Sequence, residues 1–314
     1  MTKVFIDGSA GTTGLRIDER FRDRDDVEIL RIDPELRKDI AERKRLINSS
    51  DISFLCLPDD AARESVSLVE NDDVVIIDTS TAHRTDDDWA YGFPELSPGH
   101  RNRIVNGKRI AVPGCYASGF ISLVYPLVAG DVIPKDFPIS CFALSGYSGA
   151  GKKGIAGYEA DDRPKAFDGG RLYALTQQHK HLKEMKKITG IERTPLFSPV
   201  IDDYYSGMLV SVPMYTDMMA KRHDPSSLLE YYREYYAGQK FIRVSREDDE
   251  EAATGFLAAN GQSGWDGLKI YVNGNDDRIV VSAQFDNLGK GASGAAIQCM
   301  NLVLGCDEDK GLHL

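Results

Sequence analysis

One cysteine stands where its surroundings could make it a nucleophile. Residues 109–112 form an apolar run that predicts a short strand, Pro113 and Gly114 interrupt it, and residues 117–127 predict an apolar helix. Cys115 would then lie at the helix N-terminus, among backbone N–H groups that have no intrahelical partner. These donors and the helix dipole favour the thiolate, which is the nucleophilic form. The alternative is a buried cysteine that acts only as a small hydrophobic residue.

A pair of histidines supplies the candidates for proton transfer. The pattern of residues 171–189 predicts a largely helical segment. Leucines at positions 172, 175 and 182 would share one face with His179, whereas His181 would point the other way. His179 is therefore the inward-facing candidate, and imidazole titrates in a range suited to proton transfer near neutrality. If the helix begins only after His181, either histidine could serve, and a histidine that merely fills the core is the other interpretation.

A glycine-rich turn opens the first predicted helix. The turn GSAGTTG, residues 8–14, directly follows an apolar strand at residues 4–6. Its glycines permit a close backbone approach, and the helix N-terminus offers N–H donors to a pyrophosphate. The spacing is GxxGxxG rather than GxGxxG, so a plain tight turn is the alternative. The candidate dinucleotide contacts in this turn are Gly8, Ala10, Gly11, Thr12, Thr13 and Gly14.

Charged residues follow the second predicted strand, residues 27–32, where ribose selectivity is determined in dinucleotide-binding folds. Asp33 could bond a ribose 2′-hydroxyl, which favours NAD. Arg31, Arg37 and Lys38 could instead pair with a 2′-phosphate, which favours NADP. A solvated helix start is the third interpretation. We take Arg31 as the candidate cofactor contact.

The segment after the fourth predicted strand, residues 74–78, lies at the sheet edge where ligands of such folds bind. Ser80 is a candidate cofactor contact there. Arg84 is a planar double donor suited to a phosphate, and we predict that it binds the phosphate of the substrate. A surface arginine paired with Asp86 or Asp87 is the alternative.

A loop of small residues follows the strand predicted at residues 138–144. In SGYSGAGKK, residues 145–153, backbone amides could converge on an anion beside two lysines. The loop lacks the GxxxxGK[ST] form, which argues against nucleotide hydrolysis. We predict substrate contacts from Ser145, Tyr147, Gly149 and Ala150, and a flexible turn is the alternative.

The elements that must position these residues change character near residue 115. Before it, near-continuous apolar strands alternate with helices, which indicates an α/β domain with a Rossmann-type parallel sheet. After it, helices and hairpin-like strand pairs indicate an α+β domain with a mixed, largely antiparallel sheet. We therefore predict two domains, the first over residues 1–115 and the second from residue 116.

Composition excludes several classes of protein. The 314 residues, 42% hydrophobic and 28% charged, are typical of a globular chain long enough for two domains. A net charge of −11 argues against nucleic-acid binding, and no apolar stretch reaches the ~18–20 residues that span a membrane. Five scattered cysteines and six histidines show neither a disulfide framework nor zinc-site spacing, so we expect no metal. Acidic stretches at residues 23–26, 86–88 and 247–251 are expected to be solvated loops.

The expected location is the cytoplasm. A strand pattern that begins at Lys3 leaves no room for a signal peptide, and the cysteine usage fits a reducing compartment. We expect a small-molecule substrate, and the acidic net charge does not exclude an anionic one, because local charges govern a site.

The chain resembles the shorter form of N-acetyl-γ-glutamyl-phosphate reductase, in the group related to aspartate-semialdehyde dehydrogenase. The resemblance covers essentially the whole chain and rests on five segments: GSAGTTGL near the start, VPGCYAS around Cys115, SGYSGAGKK from Ser145, HKH at residues 179–181 and DNLGKGASGAAIQ from Asp286. VPGCY is the specific segment, whereas the glycine turn alone is not. The family's histidine motif is longer and rich in arginine and proline, so this chain departs from it at residues 179–182.

The resemblance implies a reaction and two catalytic residues. The reaction is the NADPH-dependent reduction of N-acetyl-γ-glutamyl phosphate to N-acetylglutamate 5-semialdehyde, in arginine biosynthesis. Cys115 would be the nucleophile and His179 the acid/base residue, with His181 kept as a candidate because of the departure in the motif. Motifs around Cys115 do not separate this substrate from another acyl phosphate, such as aspartyl phosphate or a carrier-linked aminoadipyl phosphate. A dinucleotide-binding module without turnover and a cofactor-independent cysteine hydrolase are alternatives of other classes.

The resemblance also implies an organisation of the two domains. Residues 287–314 would return to complete the cofactor domain, which leaves residues 116–286 as a catalytic and oligomerisation domain of a dimer or tetramer. The expected cofactor contacts in the returning segment are Asn287, Gly289 and Lys290.

Overall fold

Each of the two compact units of the chain is built around one β-sheet. The computed structural model describes residues 1–246 and 249–314. The first unit comprises Met1–Gly114 together with Ala292–His313, and the second comprises Cys115–Gly291. The sequence suggested boundaries at residues 115 and 287; in the structure, Cys115 already belongs to the second unit and the return begins at Ala292.

The first unit begins with alternating strands and helices. In chain order these are β1 (Thr2–Asp7), α1 (Thr12–Arg20), β2 (Val27–Leu30), α2 (Ile40–Ser49), β3 (Ile52–Leu55), α3 (Asp59–Ser67), β4 (Val75–Asp78), β5 (Ala90–Tyr91), α4 (Pro98–Val105) and β6 (Arg109–Ala111). The strands pair in parallel in the order β2-β1-β3-β4-β6-β5. The predicted parallel sheet is confirmed.

Apolar strand residues explain why this sheet is covered on both faces. Val4 and Ile77 belong to one buried cluster, whereas Phe5 and Ile76, their neighbours in sequence, belong to another. Neighbouring side chains on a strand point to opposite faces, so both faces are packed. The loops that follow parallel strands then emerge at one common edge of the sheet, where ligands of such folds bind.

The second unit carries the other described strands. In chain order it contains α5 (Cys115–Ala129), β7 (Ser140–Gly146), α6 (Gly151–Tyr158), β8 (Arg171–Leu172), α7 (Leu182–Thr189), β9 (Leu196–Asp202), β10 (Met208–Tyr215), α8 (Pro225–Tyr235), β11 (Ile242–Val244), α9 (Glu250–Ala253), β12 (Leu268–Gly274) and β13 (Arg278–Phe285). The sheet order is β11-β12-β13-β10-β7-β9-β8. The pairs β11–β12 and β7–β9 are parallel and the other described pairs are antiparallel, which confirms the predicted mixed sheet.

The last helix returns the chain to the first unit. After a π-helical segment, Gly289–Ser293, the helix α10 spans Gly294–Leu304. Ile297 and Met300 of this helix are buried in the same cluster as Val4 on β1. The helix α10 therefore completes the buried cluster to which β1 contributes.

The helix predicted over residues 171–189 is wrong for residues 171–181. Those residues form β8 and an irregular segment, and α7 begins only at Leu182. Ala174 and Gln177 have φ angles of 52° and 58°, which a right-handed helix excludes. Leu175 is 74% exposed, so the leucines do not form a buried face with His179.

The acidic stretches at residues 23–26 and 86–88 lie in loops, as expected. In the third stretch the expectation of a loop is wrong for Glu250 and Glu251, which begin α9 after the N-cap Asp249. Glu247 and Asp248 lie outside the described residues. Within residues 1–246 and 249–314, no helix is long and apolar enough to cross a membrane. In the same ranges, no group of three His, Cys, Asp or Glu side chains is arranged to hold a metal ion.

Candidate active site

Cys115 is the first residue of α5 and lines a cavity of the second unit. The rest of α5 is apolar and buried on nearly all sides, so packing fixes the position of its first turn. The N–H groups of that turn have no intrahelical partner and lie next to the thiol. The cavity has a volume of ≈280 Å³ and is lined by Cys115, Tyr116, Ser145, Gly146, Gly149, Ala150, Tyr173, His179 and Ile201.

The loop after β7 contributes most of the predicted substrate contacts to this cavity. Ser145, near the end of β7, lines it together with Gly149 and Ala150. The prediction for Tyr147 is corrected. Its ring stacks on Tyr158 with centroids 4.7 Å apart and planes 9° apart, and this aromatic packing keeps it out of the cavity lining.

His179 lines the cavity, and His181 packs against it. The backbone N–H of His181 donates to Nδ1 of His179 at 3.2 Å, and the two rings meet edge to face at 4.6 Å. Because Nδ1 uses its lone pair in this bond, the neutral His179 ring carries its hydrogen on Nε2. Burial, reinforced by the charge of Lys180, lowers the pKa of His179 to about 4. At neutral pH the ring is therefore an uncharged donor through Nε2–H.

Two tyrosines that the sequence did not single out also line the cavity. The rings of Tyr116 and Tyr173 lie with their centroids 6.3 Å apart, and burial raises the pKa of both phenols above the ordinary range. Both side chains are thus neutral donors beside the thiol. Tyr116 could have been found as the residue after Cys115 in the first helical turn. Tyr173 could not, because its segment was predicted to be helical.

The end of the second unit packs directly against the thiol-bearing residue. A Cβ atom at Gly291 would lie only 3.0 Å from the Cβ of Cys115 and 3.2 Å from the ring of Phe285. A side chain at this position would have to displace one of these groups by a few tenths of an ångström. The segment that resembles the family's C-terminal motif therefore shapes the surroundings of Cys115 from within the second unit.

The predicted cofactor contact of the Asn287 side chain is corrected. Its Nδ2 donates to the hydroxyl of Ser148 at 2.9 Å, and its Oδ1 accepts from the backbone N–H of Gly207 at 2.9 Å. The amide is engaged on both sides, so it positions the loop that carries Gly149 and Ala150.

The same correction applies to the two residues that follow in the motif. Lys290 is only 2% exposed, and its Nζ lies 5.2 Å from the ring centroid of Phe241. Gly289 lies against the backbone of Trp265 and the side chain of Asp266. Both residues pack inside the second unit: the Lys290 side chain is buried, and Gly289 has no side chain to offer a ligand.

A larger cavity in the first unit lies beside the glycine turn. It has a volume of ≈520 Å³, and Gly8, Ala10 and Gly11 are among its lining residues. Gly8 has a φ of 88°, and a Cβ there would lie 2.3 Å from the carbonyl oxygen of Cys56, so only glycine fits. Thr12, Thr13 and Gly14 form the first turn of α1, whose N–H groups are available to an anion.

Arg37 and Lys38 line this cavity, whereas Arg31 does not. The guanidinium of Arg31 is paired with Asp18 at 3.0 Å on the surface, so the choice of Arg31 as cofactor contact is corrected. Asp33 accepts a hydrogen bond from the backbone N–H of Glu35 at 2.9 Å and is absent from the lining. Arg37 and Lys38 therefore face the cavity, and Asp33 does not.

Ser80 and Arg84 are buried and hold the backbone after β4. The Ser80 hydroxyl donates to Asp78 at 2.8 Å and accepts from the N–H of Ala82 at 3.1 Å. Arg84 is 8% exposed, and its Nε and Nη2 each donate at 2.8 Å, to the carbonyl oxygens of Val112 and Thr79. We therefore correct both predictions, since these side chains are engaged within the first unit. Arg84 is also not the surface arginine of the alternative interpretation.

Comparison with known proteins gives the family of this chain. Residues 3–104 match the model of the semialdehyde dehydrogenase NAD binding domain, and residues 115–287 match that of the semialdehyde dehydrogenase dimerisation domain. N-acetyl-gamma-glutamyl-phosphate reductase 2 of Nostoc sp. is 43% identical over 318 residues, which cover 99% of both chains. The N-acetyl-gamma-glutamyl-phosphate reductase of Sinorhizobium medicae is 44% identical over 306 residues, 96% of this chain and 98% of the relative. This chain belongs to the N-acetyl-γ-glutamyl-phosphate reductase family.

Solved structures show that proteins outside this family share the fold of this chain. Aspartate semialdehyde dehydrogenase II of Vibrio cholerae, complexed with ASA, has a TM-score of 0.69 at 17% identity and covers 97% of this chain and 98% of its own. The aspartate semialdehyde dehydrogenase of Candida albicans with NADP has a TM-score of 0.62 at 17% identity, over 98% and 99% of the two chains. At this identity the likeness concerns the fold.

The low pKa of His179 can be measured directly. In an NMR titration of the histidine ring protons, with His179→Asn for assignment, we expect His179 to titrate with a midpoint about 4. Nitrogen shifts should report a neutral ring with its hydrogen on Nε2 at pH 7. Above the unfolded-state pKa of ~6.5 the ring is neutral in both the folded and the unfolded protein, so it does not make the free energy of unfolding depend on pH there. It should reduce the free energy of unfolding as the pH falls from there toward 4. A midpoint near 6.5 would contradict the buried, neutral ring.

Proposed function

We propose that this chain catalyses the NADPH-dependent reductive dephosphorylation of N-acetyl-γ-glutamyl phosphate to N-acetylglutamate 5-semialdehyde, a step of arginine biosynthesis. One observation carries the proposal. The cavity that holds the Cys115 thiol is also lined by His179 and by the loop residues Ser145, Gly149 and Ala150. A nucleophile, a proton-bearing group and a concave surface for the rest of a small acyl phosphate thus meet in one place.

Cys115 performs the first chemical step. Its thiolate, favoured by the N-terminus of α5, attacks the acyl carbon and forms a carbon–sulfur bond. The carbon–oxygen bond to phosphate breaks, and the departing phosphate takes up a proton from solvent. The product on the protein is a thioester, which divides one difficult substitution into two easier steps.

The first turn of α5 and His179 stabilise the negative charge that develops on oxygen. Backbone N–H groups at the start of the helix can donate to the oxyanion, and the Nε2–H of His179 is a further donor. When bound, NADPH supplies the hydride that reduces the thioester carbon. The hemithioacetal oxyanion then re-forms its carbonyl, and the carbon–sulfur bond breaks to release the aldehyde and the Cys115 thiolate.

His181 contributes by positioning. It is buried, and its backbone N–H holds Nδ1 of His179, which leaves Nε2 for the cavity. The proposed role of His179 therefore depends on the turn at residues 179–181, at the N-terminus of α7, and not on a helical face.

The cavity of the first unit fits the cofactor. The turn at Gly8 brings bare backbone to the cavity, and the first turn of α1 offers N–H groups to the diphosphate. Arg37 and Lys38 would hold the 2′-phosphate that distinguishes NADP from NAD. The free state of all five cysteines agrees with the cytoplasmic location expected from the sequence.

The proposed oligomer would form through the outer face of the second sheet. Phe142 lies opposite Ser211, and Val280 opposite Pro213, so these residues point to one face. Phe142, Val280, Tyr215 and Leu196 are exposed large apolar residues on four neighbouring strands. Exposed apolar surface of this extent is typical of an interface, and the matching family model is described as a dimerisation domain.

Replacing the nucleophile should abolish turnover but not cofactor binding. For Cys115→Ser we expect a loss of at least ~10³-fold in kcat with N-acetyl-γ-glutamyl phosphate, because a hydroxyl is a far weaker nucleophile than a thiolate. NADPH oxidation and NADPH affinity are measured in parallel, with Cys306→Ser as the matched control. Normal turnover of Cys115→Ser would exclude the thioester. Preferential turnover of aspartyl phosphate or a carrier-linked aminoadipyl phosphate by the wild type would reassign the substrate.

Cofactor selectivity should depend on the turn after β2. The double variant Arg37→Ala/Lys38→Ala should weaken NADPH binding by ~10²–10⁴-fold, because it removes two charge-assisted bonds of ~1.5–3 kcal/mol each. NADH affinity should change little, since NADH lacks the 2′-phosphate. Arg31→Ala, whose guanidinium is paired with Asp18, is the control. Equal losses for both cofactors would show that these residues do not read the phosphate.

The oligomeric interface can be tested with one surface charge. Phe142→Asp should lower the molar mass in sedimentation velocity from that of a dimer or tetramer to that of a smaller species, because it buries a carboxylate in an apolar contact. Phe256→Asp is the control, since Phe256 is exposed but lies in a loop outside the sheet. If Phe142→Asp keeps the wild-type mass, this face is not the interface.

A further inference from the structure

A buried carboxylate lies directly before the glycine turn, where an anionic cofactor would bind. Asp7 is the last residue of β1, is 3% exposed, and is among the residues that line the ≈520 Å³ cavity. Each phosphate of a dinucleotide would be repelled by an uncompensated carboxylate at this position. Binding of an anion here therefore requires a partner for Asp7.

Arg43 is that partner. It lies on α2, is 6% exposed, and its Nη2 and Nε approach the Asp7 carboxylate at 3.0 Å and 3.2 Å. Nη1 of the same guanidinium donates to Glu64 at 2.6 Å, and the Ser65 hydroxyl donates to Asp7 at 2.8 Å. The planar guanidinium thus joins carboxylates from β1 and α3 in a fixed geometry.

We infer that Arg43 is a positioning residue for NADPH binding. Its guanidinium neutralises Asp7 beneath the glycine turn, and this permits the diphosphate to bind above the turn. This inference rests on the proposed cofactor cavity. The guanidinium of Arg43 forms ion pairs with Asp7 and with the half-exposed Glu64. Arg37 and Lys38 are then the cationic residues of the lining that face the cofactor. In sequence, Arg43 looks like one more charge on an amphipathic helix, and no motif marks it.

If Arg43 only stabilised the fold, its removal would weaken NADPH binding equally at every pH. The charged or titratable groups around Asp7 are Arg43 on α2, Glu64 on α3, Cys56 after β3, Asp78 at the end of β4, and Arg37 and Lys38 of the same lining. Arg43 is the only one of these six that the structure pairs with Asp7. Without it, Asp7 becomes a buried unpaired carboxylate whose pKa rises, and its charge then depends on pH in the neutral range.

The test is the pH dependence of NADPH affinity in a set of four proteins. The wild type, Arg43→Met, Asp7→Asn and the double variant Asp7→Asn/Arg43→Met are titrated with NADPH by fluorescence between pH 5.5 and 8.5. Arg43→Met should bind on the order of 10-fold more weakly at high pH and regain affinity as Asp7 is protonated. The double variant should bind NADPH with the affinity and the pH profile of the wild type. The wild-type profile is the reference, because the 2′-phosphate of NADPH itself titrates in this pH range.

Each outcome decides the inference. A pH-independent loss in Arg43→Met, or a double variant as weak as Arg43→Met, would overturn it. If Arg43→Met does not fold, Asp7→Asn decides. Removing the negative charge of Asp7 should leave NADPH affinity equal or tighter, and weaker binding at every pH would overturn the inference. If Arg37→Ala/Lys38→Ala does not affect NADPH binding, the proposed cavity itself is wrong. A loss in that variant without pH dependence in Arg43→Met refutes only the role of Arg43.

Discussion

The packing of α5 is the constraint on which the candidate active site depends. Because this helix is apolar and buried on nearly all sides, its first turn cannot shift without disturbing the second unit. Cys115 is held there against Gly291, and the strand β7 delivers Ser145 to the same cavity. The burial of the whole helix therefore fixes the position of the sulfur, and the residues around Cys115 determine its reactivity.

Sequence patterns predicted what depends on local periodicity. The sequence predicted the parallel strands of the first unit, the position of Cys115 at a strand–helix junction and the glycine turn at Gly8. Apolar runs and glycines indicate these features because they determine structure locally. The surroundings of His179 were not. Residues 173–181 have helical spacing of leucines but contain left-handed backbone at Ala174 and Gln177, where long-range packing overrides the pattern.

The corrected residues have a shared physical cause. Arg84, Ser80, Asn287 and Lys290 are polar residues in ligand-like motifs, yet their polar groups or side chains are buried within their own unit. A sequence shows the type of a polar group but not whether a backbone carbonyl or amide already uses it. The same limit hid Arg43, whose importance comes from a carboxylate 36 positions earlier in the chain.

The contribution of α10 to the first core has a consequence for biosynthesis. Ile297 and Met300 are buried in the same cluster as Val4 of β1, so the first unit lacks part of its interior until α10 has been translated. The second unit contains its own contiguous stretch of chain and can close earlier. The sheet of the first unit is thus made before, and its core can be completed only after, the whole of the second unit, because α10 follows β13 in the chain.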